Sequence, residues 1–488
     1  MITPTSHEYL ATGVPGLDTL LGGGLSEYSF NVIAGSPGSG KTTLAHQIMF
    51  ALASANCKAL FFTVLGEPPL KMLRYQQRYS FFDVNKVEAS VRYVNLADDL
   101  RAGDFSGVLA RIMQEVASFE PRLVFVDSFR SVIQTARQGN EGIADLQQFV
   151  QELGTSMASW QATTFLIGEY SFNEIEAHPV MTVADGLICL AQHMEGNAVV
   201  RKMRVVKMRG HAHMGGAHTF RITGDGLKVY PRTLPSLPPS YYAAQEDGAT
   251  ARVGTGIAML DELLNGGLPQ GHAALVVGPS GSGKTILATA FLEEGARQGG
   301  HGVLASFEKM PSHCRNHRLA ALIGAGQVTV VATRSLDLSI ENVLDDLVQE
   351  IARTGATRVV IDSLSELGLS LAPEFAQDFR ASIFRVLATL AALNVTVLVT
   401  MGMEDRFTDM RFSLSDTSFL ADAIIAMRYA EIGGRLQKVI SVVKVRGSGH
   451  STDLRNYAIS DQGIEIGAQR MPFEGLLSGH PSASRAAQ

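Results

Sequence analysis

Two short stretches combine residue types that together could hold a nucleoside triphosphate. GSPGSGKT occupies Gly35–Thr42 and GPSGSGKT occupies Gly278–Thr285, and both satisfy G-x-x-x-x-G-K-[ST] in full. Glycines let the backbone curl until several N–H groups point into one concavity, where a β-phosphate can sit at a helix N-terminus. Lys41 and Lys284 are spaced to reach β- and γ-phosphate oxygens, and the hydroxyls of Thr42 and Thr285 to ligate Mg²⁺. The candidate ATP-binding set is therefore Gly35, Ser36, Pro37, Gly38, Ser39, Gly40, Lys41, Thr42 and Thr43, with Gly278, Pro279, Ser280, Gly281, Ser282, Gly283, Lys284, Thr285 and Ile286 in the second copy. The alternative is an ordinary Gly-rich turn. A full motif, seen twice between an apolar run and a helical segment, speaks against it.

Carboxylates complete such a site. Asp127 and Asp362 each end an apolar run, RLVFVD and RVVID. A carboxylate at the C-terminal end of a buried parallel strand lies at the ligand edge of the sheet, where it can serve Mg²⁺ in the Walker B role. A single Asp there would more simply cap the next helix; its repetition behind two phosphate loops favours the metal role. Glu67, 26 residues after Lys41, and Glu308, 24 after Lys284, also end apolar runs and are candidate general bases for an attacking water. The bland reading of each is a solvent-facing strand-end Glu.

The elements that must position these residues are written twice. TGVPGLDTLLGGGL (Thr12–Leu25) recurs as TGIAMLDELLNGGL (Thr255–Leu268), 243 residues on, the same offset that separates the two loop lysines. LVFVDS matches VVIDS, VVKMRGHAH (Val205–His213) matches VVKVRGSGH (Val442–His450), and ITGDGLKV matches ISDQGIEI. Five ordered matches indicate a tandem duplication. Near-continuous apolar runs such as AALVVG, GVLASF and VTVLVTM, alternating with helical segments, predict an α/β fold with a mainly parallel sheet flanked by helices in each copy. The expected organisation is an N-terminal domain at 1–232, a Pro-rich linker at 233–250, a C-terminal domain at 251–466 and a tail at 467–488.

Composition narrows the partners. Of 488 residues 48 are Gly, an excess that the repeated loops and turns absorb, and 46% are hydrophobic, enough for large cores. The net charge of −6 argues against electrostatic coating of nucleic acid. Apolar stretches such as Ala388–Val399 are too short and too interrupted for a membrane span. No basic region followed by an apolar run opens the chain, so no signal peptide is expected. Three scattered cysteines without CxxC spacing (Cys57, Cys189, Cys314) fit a reducing cytoplasm. The histidines of RGHAHMGGAH and of HCRNH lack the acidic or cysteine partners of a metal site and are more simply loop residues.

Over nearly its whole length the chain resembles the KaiC family, tandem RecA-like P-loop ATPases that include the bacterial and archaeal circadian-clock ATPase. The carriers are the repeated TGxxxLDxLLxGGL motif, both phosphate loops, both Asp-ending strands and the two KxRG segments. The most specific part is DAIIAMRYAEI…SVVKVRGSGH…YAISDQGIEI…FEGLLSG. The resemblance implies a homohexamer of two stacked rings with ATP between neighbouring subunits. The KxRG cations Lys207 and Arg209, and Lys444 and Arg446, would then reach the nucleotide of the next subunit. Two cations at i and i+2 on a strand do share a face; otherwise they are surface charges on an edge strand. Of the family's paired catalytic glutamates only one per site is present, Glu67 beside Gly66 and Glu308 beside Lys309. At the family's autophosphorylated Ser-Thr pair stand Ser418 and Phe419, which excludes a two-site cycle there and leaves Ser418 as a single candidate, with Thr417 and Ser415 as substitutes.

The resemblance thus implies an Mg²⁺-dependent ATPase acting as a signalling or timing switch, with serine autokinase and phosphatase activity at Ser418. Its partners would be other copies of itself and KaiB-like or histidine-kinase signalling proteins. The short tail argues against a KaiA-type activator. Two further readings are a RadA- or DnaB-like DNA-stimulated motor and an ATP-dependent scaffold with little turnover. The acidic charge and the absence of a zinc or OB-type module weigh against the motor.

Overall fold

The computed structural model describes residues 9–63, 69–97, 99, 105–128, 143–170, 179–195, 198–233, 251–307, 316–332, 339–370, 379–402, 421–432, 434–471, 473–474 and 482–483. Glu67, Glu308, Ser418 with its neighbours, and the expected linker beyond Thr233 lie outside them. The chain forms two compact units that meet in the sequence between Arg232 and Thr233.

In the first unit, nine strands build one sheet: β1 (Phe30–Gly35), β2 (Ala59–Thr63), β3 (Val91–Asn95), β4 (Leu123–Asp127), β5 (Thr163–Glu169), β6 (Gly186–Glu195), β7 (Ala198–Met208), β8 (His218–Thr223) and β9 (Gly226–Tyr230). Their order is β9-β8-β7-β6-β1-β5-β4-β2-β3. The run from β6 to β3 is parallel, and β7, β8 and β9 return along one edge, with antiparallel pairing of β8 to both neighbours. The second unit repeats this with β10 (Ala273–Gly278), β11 (Gly302–Ser306), β12 (Val328–Ala332), β13 (Arg358–Asp362), β14 (Thr396–Gly402), β15 (Ala423–Ile432), β16 (Arg435–Val445), β17 (Arg455–Ser460) and β18 (Gly463–Arg470). The order β18-β17-β16-β15-β10-β14-β13-β11-β12 is the first order with every label raised by nine. The expected α/β fold, a mainly parallel sheet flanked by helices, therefore holds in both copies. β18 runs to Arg470, past the boundary expected at 466, and Phe473–Glu474 pairs antiparallel with Ser482–Ala483 inside the expected tail.

Apolar runs become central strands because helices cover both faces. All residues of β1, β10 and β13 are buried. Along β2 the side chains alternate: Phe61 packs with Leu44, Ile48 and Met49 of the helix Lys41–Leu52, while Leu60 and Phe62 face the opposite core. That second core receives Val108, Ile112 and Val116 from the helix Phe105–Phe119, and Phe149, Leu153 and Met157 from Ile143–Ser159, both at helical spacing. Each fully buried Phe in these layers contributes about 2–3 kcal/mol of apolar burial. The helix Ile340–Thr354 shows its boundaries plainly. Ser339 caps its start by accepting the Asn342 N–H, Gly355 ends it at φ 69°, and Ile340, Val343, Leu347 and Ile351 form its buried stripe.

The repeated TGxxxLD motif now has a cause. Thr12 donates through both N and Oγ1 to Asp18 (2.8 and 2.7 Å), and Thr255 does the same to Asp261 (2.7 Å each), closing the turn that leads into the sheet.

Candidate active site

Each phosphate loop links a fully buried strand to a helix, and its last glycine makes the joint. Gly40 and Gly283 adopt φ of 100° and 99°, and a Cβ at either would fall 2.6 Å from Ile222 or 2.7 Å from Ile459. No other residue fits both the left-handed backbone and the space. The loop is thus braced by the last hairpin of its own unit. Tyr457 Oη also donates to the Ser282 carbonyl (2.6 Å), and in the first unit the Gln47 side chain and the Leu227 backbone exchange two hydrogen bonds.

The loop lysines lie where a triphosphate would place its anionic end. Lys41 Nζ donates to the Ser36 carbonyl (2.8 Å), and Lys284 Nζ to those of Gly278 (2.8 Å) and Pro279 (2.9 Å). Burial lowers the pKa of both. Glu169 and Asp127 oppose that at Lys41, as do Asp362 and Glu366 at Lys284. Thr42 Oγ1 donates to Asp127 Oδ2 (2.6 Å) and Thr285 Oγ1 to Asp362 Oδ2 (2.8 Å), which brings sequence-distant residues together. A hydroxyl beside a carboxylate at the phosphate end of the sheet is the hard-oxygen donor set that Mg²⁺ prefers. Burial pushes the Asp127 carboxyl up to about 6, against the Thr42 hydrogen bond and the Lys41 charge and with help from Glu169. Both aspartates precede a cis peptide bond to the following Ser128 or Ser363.

In the first unit these groups line a cavity of about 570 Å³ together with residues that motif reasoning did not single out, among them Glu169, Arg201 and Tyr75. Glu169 ends β5, and Arg201 lies near the start of β7 with its Nε buried and without a partner among the described residues. In the second unit Thr400 was likewise missed. Its hydroxyl donates to Asp362 Oδ1, so that carboxylate is held by two hydroxyls. The signal that found Asp127, a carboxylate ending an apolar strand, would also have found Glu169 in TTFLIGE.

The KxRG cations lie at the opposite end of the sheet from their own loop. Lys207 Nζ (3.0 Å) and Arg209 Nη2 (3.3 Å) both donate to the Thr182 carbonyl. Arg209 also pairs with Asp185 (3.2 Å), whose other oxygen accepts the N–H of Phe30, the first residue of β1. The phosphate loop begins only at the far end of β1, about 17 Å away at strand rise. In the second unit Lys444 donates to the Ala421 carbonyl (2.8 Å), and Arg446 pairs with Asp422 (3.3 Å), which accepts the N–H of Ala273 at the start of β10. Neither pair can touch its own unit's nucleotide site. Among the described residues no group of three or more His, Cys, Asp or Glu side chains forms a further metal site, and His218 is spent on the Gly215 carbonyl and the Arg232 N–H.

The sequence profile of the KaiC ATPase matches residues 10–234 and again 253–471. The chain belongs to the KaiC ATPase family. The circadian clock oscillator protein KaiC of Rippkaea orientalis is 27% identical over 490 residues, covering 97% of this chain and 91% of that protein. KaiC 1 of Synechocystis sp. is 27% identical, with coverage of 97% and 92%. KaiC of Acaryochloris marina is 26% identical, with coverage of 97% and 91%. Each KaiC repeat of the chain thus contains one complete sheet and one phosphate loop. No helix among the described residues is long and apolar enough to cross a membrane.

Proposed function

We propose that each unit binds Mg·ATP and hydrolyses it slowly, and that the chain works as a homohexameric double ring serving as a signalling or timing switch in the cytoplasm. The carrying observation is the distance between the two halves of the catalytic equipment. A phosphate loop with its Thr–Asp pair lies at one end of each sheet, and the KxRG cations lie at the other. A cation pair that cannot reach its own nucleotide is suited to the nucleotide of a neighbour, where it would neutralise charge developing on the γ-phosphate.

In this reading the loop amides cradle the β-phosphate, Lys41 and Lys284 exchange their carbonyl partners for phosphate oxygens, and Thr42 with Asp127 and Thr285 with Asp362 hold the metal. Mg²⁺, when bound, supplies charge neutralisation between the β- and γ-phosphates. Glu67 and Glu308 are the proposed proton acceptors. The relatives' names support a clock-type switch; we further propose KaiB-like or histidine-kinase partners and Ser418 as one site of reversible autophosphorylation. Native mass spectrometry with and without Mg·ATP tests the assembly: six-chain species are expected with nucleotide, and a chain that stays monomeric rules the ring out. Intact mass after incubation with Mg·ATP should show one main phosphate, removed by Ser418→Ala.

A further inference from the structure

We propose that Glu169 positions the water that attacks the γ-phosphate in the first site, while its proton passes to the acceptor proposed above, an inference resting on the ATPase reading. Glu169 is the last residue of β5, the strand between the phosphate-loop strand and the Asp127 strand, and its Cα pairs with Gly35, where the loop begins. It lines the same cavity as Lys41, Thr42 and Asp127, and its charge acts on both Lys41 and Asp127.

Arg201 shares the cavity, yet a carboxylate can only accept hydrogen bonds. Once Lys41 turns to phosphate oxygens, a bare γ-phosphate oxygen is repelled by Glu169, since both groups only accept hydrogen bonds. A water resolves the conflict. It donates a hydrogen to the carboxylate and leaves a lone pair free to face the phosphorus. The second unit is built otherwise. Gly402 stands in the same register, opposite Gly278, and the second acid near Lys284 is Glu366, from the helix Leu364–Ser370. The water-holding carboxylate at this strand end is therefore a property of the first site alone.

The test uses the full chain with Lys284→Ala to silence the second site, comparing Glu169→Gln and Glu169→Gly, the latter installing the second unit's residue. Turnover should fall about tenfold or more in both variants with KM for Mg·ATP not raised. Affinity for a non-hydrolysable Mg·ATP analogue, measured calorimetrically, should rise severalfold because a negative charge beside the γ-phosphate is gone. Unchanged turnover, a raised KM or weakened analogue binding would overturn the proposal, the last two marking Glu169 as a mere support for Lys41. If the Lys284→Ala parent binds the analogue but never turns over ATP, the ATPase reading of the first site fails, and the analogue affinities still judge Glu169.

Discussion

The two sheets have the same strand order and the same loop geometry, yet the layer beneath the loop helix is made of different material. In the first unit, Tyr93, Phe61, Phe125 and Phe165 stand in register on four adjacent strands, with ring centroids 5.5, 5.9 and 4.7 Å apart in turn. His46 of the loop helix packs over Phe61 at 4.4 Å. In the second unit the corresponding row is Val330, Leu304, Val360 and Leu398, and Thr289 takes the place of His46. One contact survives the exchange: His46 Nδ1 lies 2.7 Å from the Thr42 carbonyl, and Thr289 Oγ1 donates to that of Thr285 at 2.8 Å. The phosphate-loop motif and its Thr–Asp pair were held after duplication, while the layer behind them drifted between aromatic and aliphatic packing.

The comparison breaks most severely if the sites are not independent. Lys41→Ala should remove one of two bound nucleotides per chain, and Lys284→Ala the other, counted after denaturation of gel-filtered protein; loss of both from one substitution would show coupled sites. Next in size is the aromatic row. Phe125→Ala should destabilise the first unit by about 3–5 kcal/mol, and Val360→Ala the second by about 2 kcal/mol for the methylenes removed, read by hydrogen exchange in each unit. Equal costs would mean that the two layers pack to the same effect.

Acid should separate the units further. Burial pushes the fully buried His46 down to about 4, opposed by its hydrogen bond to Thr42. The folded value lies below the unfolded one near 6.5, so as pH falls the unfolded chain takes up a proton first. The first unit then loses stability between about pH 6.5 and 4, on the order of 3 kcal/mol in all. Thr289 has no such titration. Hydrogen exchange at pH 7 and 4.5 should show the first unit loosening preferentially, and His46→Thr should abolish the preference. The smallest effect belongs to the exposed cations. Arg209 is 58% exposed and pairs with a half-exposed Asp185, so Arg209→Ala should change stability by under about 1 kcal/mol. Arg446→Ala should cost somewhat more, because Asp422 is only 9% exposed and loses its partner. Thermal unfolding beside ATP turnover separates these small costs from the loss of catalysis that the ring predicts.

Legibility followed sequence distance. The loops, the duplicated motif and Asp127 and Asp362 could be read because each is a local pattern whose chemistry demands fixed spacing. Buried strands such as FNVIAG were legible because parallel strands covered on both faces leave no room for alternation. Thr400, Arg201 and Glu169 were not singled out, since they reach the site through sheet register across many tens of residues. The placement of Lys207 and Arg209 was hidden for a related reason. Spacing shows that they share a face, but only the antiparallel return of β7 carries them to the end of the sheet remote from their own loop. The extent of β18 escaped because Gly467 and the polar residues after it end the apolar signal before they end the strand.

The bracing of each loop by its unit's last hairpin also sets an order in time. Gln47 waits 180 residues for Leu227, and Ser282 waits 175 for Tyr457. At translation rates of about 5–20 residues per second, each glycine loop emerges roughly 9–36 s before the residues that hold it in shape. During that interval the nascent chain carries the whole phosphate-binding motif without a phosphate-binding site, and the first loop is finished on the ribosome before the second has been made.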